Sequence, residues 1–185
     1  MRERIETEHL LLRVPEKDDA SAIVRYYLDN RAHLEPWSPT WPPDFFSDDF
    51  WREQIRLYRA DLQAGMAVRF FVWERRRGSD IVGNLALTQI FRGPLQACSL
   101  GYGLAEAVQG RGYMQEAVRA AVDFAFSELG LHRVTASYVP HNVRSAAVLR
   151  RAGFTVEGYA RDYLLIDGRW QDHLVTSVVN PAWSQ

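Results

Sequence analysis

The chain has a single cysteine, Cys98, and its charges almost cancel. One cysteine cannot form a disulfide within the chain, and it excludes a Cys-rich zinc site. The 22 Lys and Arg residues are balanced by 23 Asp and Glu residues, so the formal net charge is −1 at pH 7. Proteins that bind nucleic acids through phosphates usually carry a clear positive excess. We therefore expect neither disulfides nor direct nucleic-acid binding.

Long apolar runs are also missing. No segment approaches the roughly 20 apolar residues that span a bilayer, and the first residues, Met-Arg-Glu-Arg-Ile-Glu, do not resemble a signal peptide. The sequence therefore predicts a cytoplasmic protein without a membrane segment. Its 185 residues, 47% of them hydrophobic, suffice for a sizeable core. Because linkers and repeats are absent, we expect residues 1–185 to form a single domain, whose oligomeric state the sequence leaves open.

Segments typical of β-strands occupy much of the chain. They lie at residues 10–14, 68–74, 81–90, 98–104, 132–139, 155–166 and 169–179. Two gaps between consecutive strands are short and polar, at residues 75–80 and at Asp167-Gly168, which predicts two β-hairpins. Strands therefore dominate the middle of the chain, and their order predicts a mostly antiparallel sheet.

Helices are predicted between these strands. Asp18 or Asp19 can cap a first helix, and Ser47 or Asp48 can cap a second. A third helix begins at Met114 and has apolar residues at helical spacing along one face. These residues are Met114, Ala117, Val118, Ala121, Val122, Ala125, Phe126 and Leu129, and Gly130 follows as a left-handed cap. With a short helix after residue 142, about four helices flank the sheet, which predicts an α/β (α+β) fold.

The start of the third helix has the features of an anion site. A strand at residues 98–104 and the glycine-bearing run Gln109-Gly110-Arg111-Gly112-Tyr113 precede it. Unpaired N–H groups and the positive end of the helix dipole meet at such a junction. The sequence has neither the GxxxxGK[ST] motif nor the third glycine of GxGxxG there, so the two common nucleotide motifs are excluded. Taken alone, the segment is equally compatible with an ordinary glycine turn before a core helix.

Two motifs resemble those of the GCN5-related N-acetyltransferases, the GNAT family. Gln109-x-x-Gly112-x-Met114 resembles the family's Gln/Arg-x-x-Gly-x-Gly/Ala loop, although methionine replaces the final small residue. Downstream, a strand, Asn142-x-x-Ser145, a short helix and Gly153-Phe154 resemble its second signature. The similarity to the RimJ branch, the ribosomal-protein-alanine N-acetyltransferases, is strongest from Phe91 onward. It includes the segments at residues 91–94, 100–102, 140–142, 144–145, 157–160, 162–168 and 172–173, together with Cys98, Trp170, Pro181 and Trp183.

The resemblance implies a fold, a co-substrate and an acceptor. The family fold is a mixed sheet of seven strands, splayed between the fourth and fifth so that pantetheine can enter. The co-substrate is acetyl-CoA, no metal is required, and the acetyl group passes directly to a protein N-terminal α-amine. The acceptor implied is the N-terminal alanine of a small-subunit ribosomal protein. The cofactor residues implied are Tyr102, Gly103, Leu104, Gln109, Gly110, Arg111, Gly112, Tyr113, Met114, Asn142 and Ser145, with the Leu104 N–H as oxyanion donor.

The resemblance also shows a departure: the catalytic residues of a better-known relative, which acetylates the alanine of another ribosomal protein, are not retained. Its tyrosine acid, seven residues after the asparagine, corresponds to Leu149, and its glutamate base, five residues before, corresponds to Ser137. The resemblance to the RimL branch assigns the acid role to Ser145 instead. The alternative for Ser145 is a structural role in the first turn of the helix, and Asn142 has a similar alternative as an N-cap.

Asp162 and His141 are the candidates for the general base. Carboxylates in hairpins are usually only solvated, and His141, next to a proline, has the alternative of shaping its loop. The proline-rich segment at residues 36–43 contains Trp37 and Trp41 and is predicted as a loop. It either covers the sheet or forms one wall of the acceptor groove.

Two other functions remain open at this stage. The motifs describe CoA chemistry and say little about the acceptor, so a small amine such as an amino acid, a polyamine or an antibiotic is one alternative. The substitutions at Met114, Ser137 and Leu149 leave a second, a CoA-binding regulatory protein with little turnover.

Overall fold

The computed structural model describes residues 2–76, 78 and 80–184. These residues form one sheet of eight strands. The strands are β1 (Arg4–Glu6), β2 (Leu10–Arg13), β3 (Val68–Glu74), β4 (Ile81–Phe91), β5 (Ala97–Leu104), β6 (Arg133–Tyr138), β7 (Thr155–Ile166) and β8 (Arg169–Val179). The helices are α1 (Ala20–Asp29), α2 (Arg31–Leu34), α3 (Asp48–Gln63), α4 (Tyr113–Ser127) and α5 (Val143–Arg151), with short 3-10 turns at Lys17–Asp19, Glu35–Trp37 and Glu106–Val108.

The predicted fold class is confirmed, but the predicted strand count is one too low. The additional strand, β1, has only three residues, Arg-Ile-Glu, too few for a recognisable alternation. It exists because it pairs with β2, with Ile5 opposite Leu12. The single-turn helix α2 is likewise additional to the four helices expected. Neither element has a periodic pattern of its own, so tertiary contacts decide both.

The strand order is β1-β2-β3-β4-β5-β6-β8-β7, and only β5 and β6 are parallel to each other. A parallel pair requires a crossover connection, which α4 provides here. All other neighbours are antiparallel. The hairpin of β7 and β8 turns at Asp167-Gly168, as predicted.

The sheet opens between β5 and β6. The two strands pair from Ala97 opposite Arg133 to Leu100 opposite Ala136, where their pairing ends. The remaining residues of β5 continue to pair with β4, as far as Leu104 opposite Gly83. The predicted splay, between the fourth and fifth of the strands recognised in the sequence, is therefore confirmed. It leaves one edge of Gly101–Leu104 without a strand partner.

Helices cover both faces of the sheet. Adjacent residues of β4 mark the two sides, because side chains alternate along a strand. A Cβ built on Gly83 would lie 3.6 Å from Met114 of α4, whereas Asn84 accepts a hydrogen bond from the Tyr26 hydroxyl of α1 at 3.1 Å. The opening between β5 and β6 therefore connects the α4 side with the α1 side.

Local helix signals are mostly confirmed. Ser47 caps α3 by accepting the Phe50 N–H at 3.2 Å, and Gly130 has a φ of +62° after α4. Asp19 precedes α1 but does not cap it, because its carboxylate accepts two hydrogen bonds of 2.6 Å from Arg13. The same carboxylate accepts the Glu16 N–H at 2.7 Å and so caps the 3-10 turn that precedes α1.

The apolar stripe of α4 is buried as predicted, except that Phe126 is half-buried while Phe124 is buried. Pro36 and Trp37, predicted as loop, lie in a 3-10 turn after α2, where proline is tolerated. The predicted turn at residues 75–80 includes residues 77 and 79, which lie outside the described residues. No helix of the described chain is both long and apolar enough to cross a membrane.

Candidate active site

A cavity of about 410 Å³ lies at the opening between β5 and β6. Three parts of the chain line it: the segment around α2, the end of β5 with the loop into α4, and the first turns of α5. Every predicted cofactor residue except Arg111 is among the lining residues. The exposed side chain of Arg111 instead approaches the Ala107 carbonyl at 3.5 Å.

The glycine loop gives the cavity a concentration of backbone N–H groups. Gly110 and Gly112 have φ values of +78° and +81°, a left-handed conformation that glycine adopts without strain. Gly112 is the residue before the first turn of α4, and the N–H groups of that turn have no acceptor within the helix. The positive end of the helix dipole lies at the same place. The loop therefore has the geometry of an anion site.

Met114, which departs from the family pattern, does not obstruct this loop. Its side chain is buried, at 6% exposure, and packs beneath β4, where a Cβ on Gly83 would lie 3.6 Å from the Met114 methyl group. The missing side chain of Gly83 thus provides the room that the larger residue requires.

The open edge of β5 presents backbone groups to the cavity. The Ala105 N–H donates to the Val82 carbonyl at 2.8 Å and thus points toward β4. Backbone direction alternates along a strand, so the N–H groups of Tyr102 and Leu104 point to the opposite edge, where pairing with β6 has ended. This orientation agrees with the expected role of Leu104. Between them, a Cβ on Gly103 would lie 2.7 Å from Asn84 Oδ1, so a larger residue there would force the Asn84 side chain to move.

The first turn of α5 brings Ser145 to the cavity. The Asn142 side chain caps the helix by accepting the Ser145 N–H at 3.0 Å, and Ser145 Oγ lies 2.8 Å from the Tyr102 hydroxyl. Burial raises the pKa of Tyr102 to about 12, and the hydrogen bond with Ser145 offsets this only in part. The phenol is therefore protonated at neutral pH. Both residues were candidates in the sequence, but nothing in it indicated that they touch, since they lie 43 positions apart.

Leu149 and Ser137 lie where the better-known relative has its acid and base. Leu149 is 1% exposed and belongs to the core, and Ser137 is half-buried on β6 opposite Val175. Neither residue lines the cavity. A proton donor in this site must therefore come from another position, and Ser145 has a suitable hydroxyl there.

The structure separates the two candidate bases. The exposed ring of His141 lies against Trp37, with a centroid distance of 5.4 Å, and Trp37 lines the cavity. Asp162 is exposed on β7, has a φ of +45° and does not line the cavity. Its backbone N–H donates to Asp172 at 2.8 Å. Neither candidate lines the cavity itself, but His141 contacts Trp37 of its wall and so lies at the rim, whereas Asp162 is not brought to the cavity.

The two tryptophans of the proline-rich segment have different surroundings. Trp37 is 39% exposed and forms part of the cavity wall. Trp41 is half-buried and stacks on Phe45 at 4.7 Å, next to Tyr27. Trp41 therefore packs over the core, as one alternative predicted, while a role of Trp37 in an acceptor groove stays a prediction.

Two hydrogen bonds join residues 30–33 to the chain segment at residues 106–109, which leads into the glycine loop, and the sequence predicted neither. Gln109 Nε2 lies 2.7 Å from His33 Nε2. The amide nitrogen can only donate, so the ring nitrogen accepts. The Asn30 side chain accepts the Glu106 N–H at 2.9 Å. The glycine loop is therefore fixed from the α2 side.

Comparisons with known proteins agree with this geometry. The family model for the acetyltransferase (GNAT) domain matches residues 9–155. The chain is 36% identical over 181 residues to the [ribosomal protein uS5]-alanine N-acetyltransferase of Escherichia coli (strain K12), with 98% of this chain and 93% of that protein covered.

Solved structures give a similar result. The crystal structure of the ribosomal-protein-S5-alanine acetyltransferase from Vibrio fischeri has a TM-score of 0.93 at 36% identity, covering 98% of this chain and 99% of that one. Mycobacterium smegmatis RimJ in complex with CoA-disulfide has a TM-score of 0.87 at 31% identity, covering 95% and 84%.

Proposed function

Because the chain belongs to the GNAT family of acetyltransferases, we propose that it transfers the acetyl group of acetyl-CoA to the N-terminal α-amine of a protein. The choice of acceptor rests on the 36% identity, over nearly the whole chain, to an enzyme named as a [ribosomal protein uS5]-alanine N-acetyltransferase. The acceptor we propose is the N-terminal alanine of a small-subunit ribosomal protein. Such an acceptor places the reaction in the cytoplasm.

Acetyl-CoA binding is supported by the backbone groups that line the cavity. The loop from Gln109 to Gly112 and the first turn of α4 would bind the pyrophosphate through their N–H groups. The pantetheine arm would pair with the open edge of β5 as an additional strand does. The Leu104 N–H on that edge would then donate to the oxygen of the thioester as negative charge develops.

The transfer itself requires few protein groups. The neutral amine attacks the thioester carbonyl carbon, the C–S bond breaks, and the sulfur leaves with the bonding electrons. We assign Ser145 as the donor that protonates this sulfur, since its hydroxyl lies in the cavity. The proton that the amine loses passes to water, with His141 as the candidate base at the rim. An α-amine has a pKa near 8, against about 10.4 for lysine, so a strong base is unnecessary.

Acetylation of peptides that carry both a free N-terminus and an internal lysine tests this function. We expect mass spectrometry to find the acetyl group on the N-terminal alanine. The value of kcat/KM should fall roughly tenfold per unit as the pH drops below about 8, because only the neutral amine reacts. The control is the same peptide with a formylated N-terminus, which should not release thiol from acetyl-CoA.

Other outcomes identify the rival functions. Acetyl groups found mainly on lysine, or thiol release only with small amines, would replace the proposed acceptor. Binding of acetyl-CoA without thiol release for any amine in a broad panel would favour the other alternative, a CoA-binding regulatory protein with little turnover.

A further inference from the structure

The contact between Tyr102 and Ser145 joins two elements, β5 and α5, that both line the cavity. Tyr102 projects from β5 and Ser145 from the first turn of α5, and their hydroxyl oxygens are 2.8 Å apart. The Tyr102 hydroxyl can also donate to the Ser145 carbonyl oxygen, at the longer distance of 3.3 Å, so both acceptors within reach of its one proton belong to Ser145. Both side chains are partly buried. The phenol is thus held against the residue assigned as the proton donor.

We propose that Tyr102 is a positioning residue that donates its hydroxyl proton to Ser145 Oγ and thereby directs the Ser145 proton toward the leaving sulfur. The inference rests on the proposed function, since it assigns a partner to the acid of that reaction. Tyr102 acts through Ser145.

The direction of the hydrogen bond follows from the chemistry of the two groups. A phenol is more acidic than an aliphatic alcohol, so it is the better donor, and the alcohol oxygen is the better acceptor. A serine hydroxyl has a single proton. When Ser145 Oγ accepts from Tyr102, that proton remains available to the cavity. The reverse arrangement would direct it at Tyr102 and away from the substrate.

The same hydrogen bond stabilises Ser145 during the reaction. As Ser145 gives its proton to the sulfur, negative charge develops on Oγ, and a charged acceptor strengthens the hydrogen bond from the phenol. The free thiol leaves with that proton, and Ser145 recovers one from water in the open cavity. Water thus gives one proton to Ser145 and receives one from the amine, so no net proton is gained or lost by the protein.

This arrangement also explains how the site functions with Leu149. The better-known relative places a tyrosine at that position of the helix, but here the position is buried in the core. The phenol of Tyr102 comes from strand β5 instead and contacts Ser145 of α5. The site therefore keeps a phenol, which would act on the leaving group only through Ser145.

A double-mutant cycle tests the proposal with any acceptor that the wild-type protein acetylates. We expect Ser145→Ala to lower kcat by about 10²–10⁴-fold. Tyr102→Phe should lower kcat about tenfold, with the KM for acetyl-CoA within about twofold. The double variant should be no slower than Ser145→Ala within about twofold, because the phenol acts only through the serine. Losses that multiply, or a raised KM with unchanged kcat, would overturn the proposal.

A second variant keeps the aromatic ring and its hydroxyl and changes only the acidity of that hydroxyl. With 3,5-difluorotyrosine at position 102 the phenol ionises at a lower pH and then can no longer donate. We expect kcat to fall above that pH, whereas the wild-type kcat does not; an unchanged profile would overturn the proposal. The matched control is Tyr58→Phe, which removes a phenol from α3 and should leave activity unchanged. Absence of thiol release by the wild-type protein itself would defeat the proposed function, and this inference with it.

Discussion

Replacing Gly112 by alanine should separate cofactor binding from stability. Gly112 has a φ of +81°, and a Cβ built there has no protein atom within 4 Å. The cost to folding therefore comes from the backbone alone, about 1–2 kcal/mol for a left-handed non-glycine residue. A domain of 150–250 residues loses about 2–4 °C of Tm per kcal/mol, so we expect Tm to fall by about 2–8 °C.

Acetyl-CoA should stabilise the wild-type protein but not this variant. A ligand at 100 times its Kd adds about 2.7 kcal/mol, or about 5–11 °C of Tm. Gly112 lines the cavity and a Cβ added there has no protein atom within 4 Å, so in Gly112→Ala we expect the methyl group to occupy space beside the N–H groups of the loop. It should keep the pyrophosphate from approaching them. Thermal unfolding with and without acetyl-CoA measures both effects.

Gly130 provides the matched control. It has a φ of +62° and equally open surroundings, but it lies at the other end of α4 and outside the cavity. Gly130→Ala should therefore lose a similar amount of Tm and keep the full shift with acetyl-CoA. A full shift in Gly112→Ala would refute the placement of the pyrophosphate, and so would an equal loss of the shift in both variants.

Two other perturbations have defined outcomes. His33→Ala removes the acceptor of the Gln109 amide and should raise the Kd for acetyl-CoA about fivefold in calorimetry, with kcat unchanged; an unaltered Kd would contradict this. Although burial alone would raise it, the Arg13 guanidinium holds the pKa of Asp19 below its usual value. This stabilisation is present above the unfolded-state pKa, about 3.9, and is lost as the pH falls through the lower folded-state pKa. The stability difference between wild type and Asp19→Asn, measured by urea unfolding, should therefore be greatest near neutral pH and decrease as the pH falls through the folded-state pKa of Asp19; a difference independent of pH would argue against the ion pair.

Much of the fold could be predicted because its signals are local. The spacing of apolar residues along α4 depends only on helical geometry, and it identified the buried face correctly apart from Phe124 and Phe126. The hairpin at Asp167-Gly168 follows from the turn residues and the alternation on either side. The glycines before α4 predicted an anion site from the same kind of evidence. Each of these inferences needs only residues that are close in sequence.

The sequence alone therefore determined the class of fold, the family and the residues that surround the cofactor loop. Only the tertiary structure decided which side chains touch across the cavity. Tyr102 meets Ser145 over 43 positions, and His33 meets Gln109 over 76. Such contacts depend on how a strand, a helix and a loop pack together, and no periodicity or spacing encodes that packing. The same packing placed Asp162 outside the cavity, because the position of a hairpin carboxylate depends on the sheet around it.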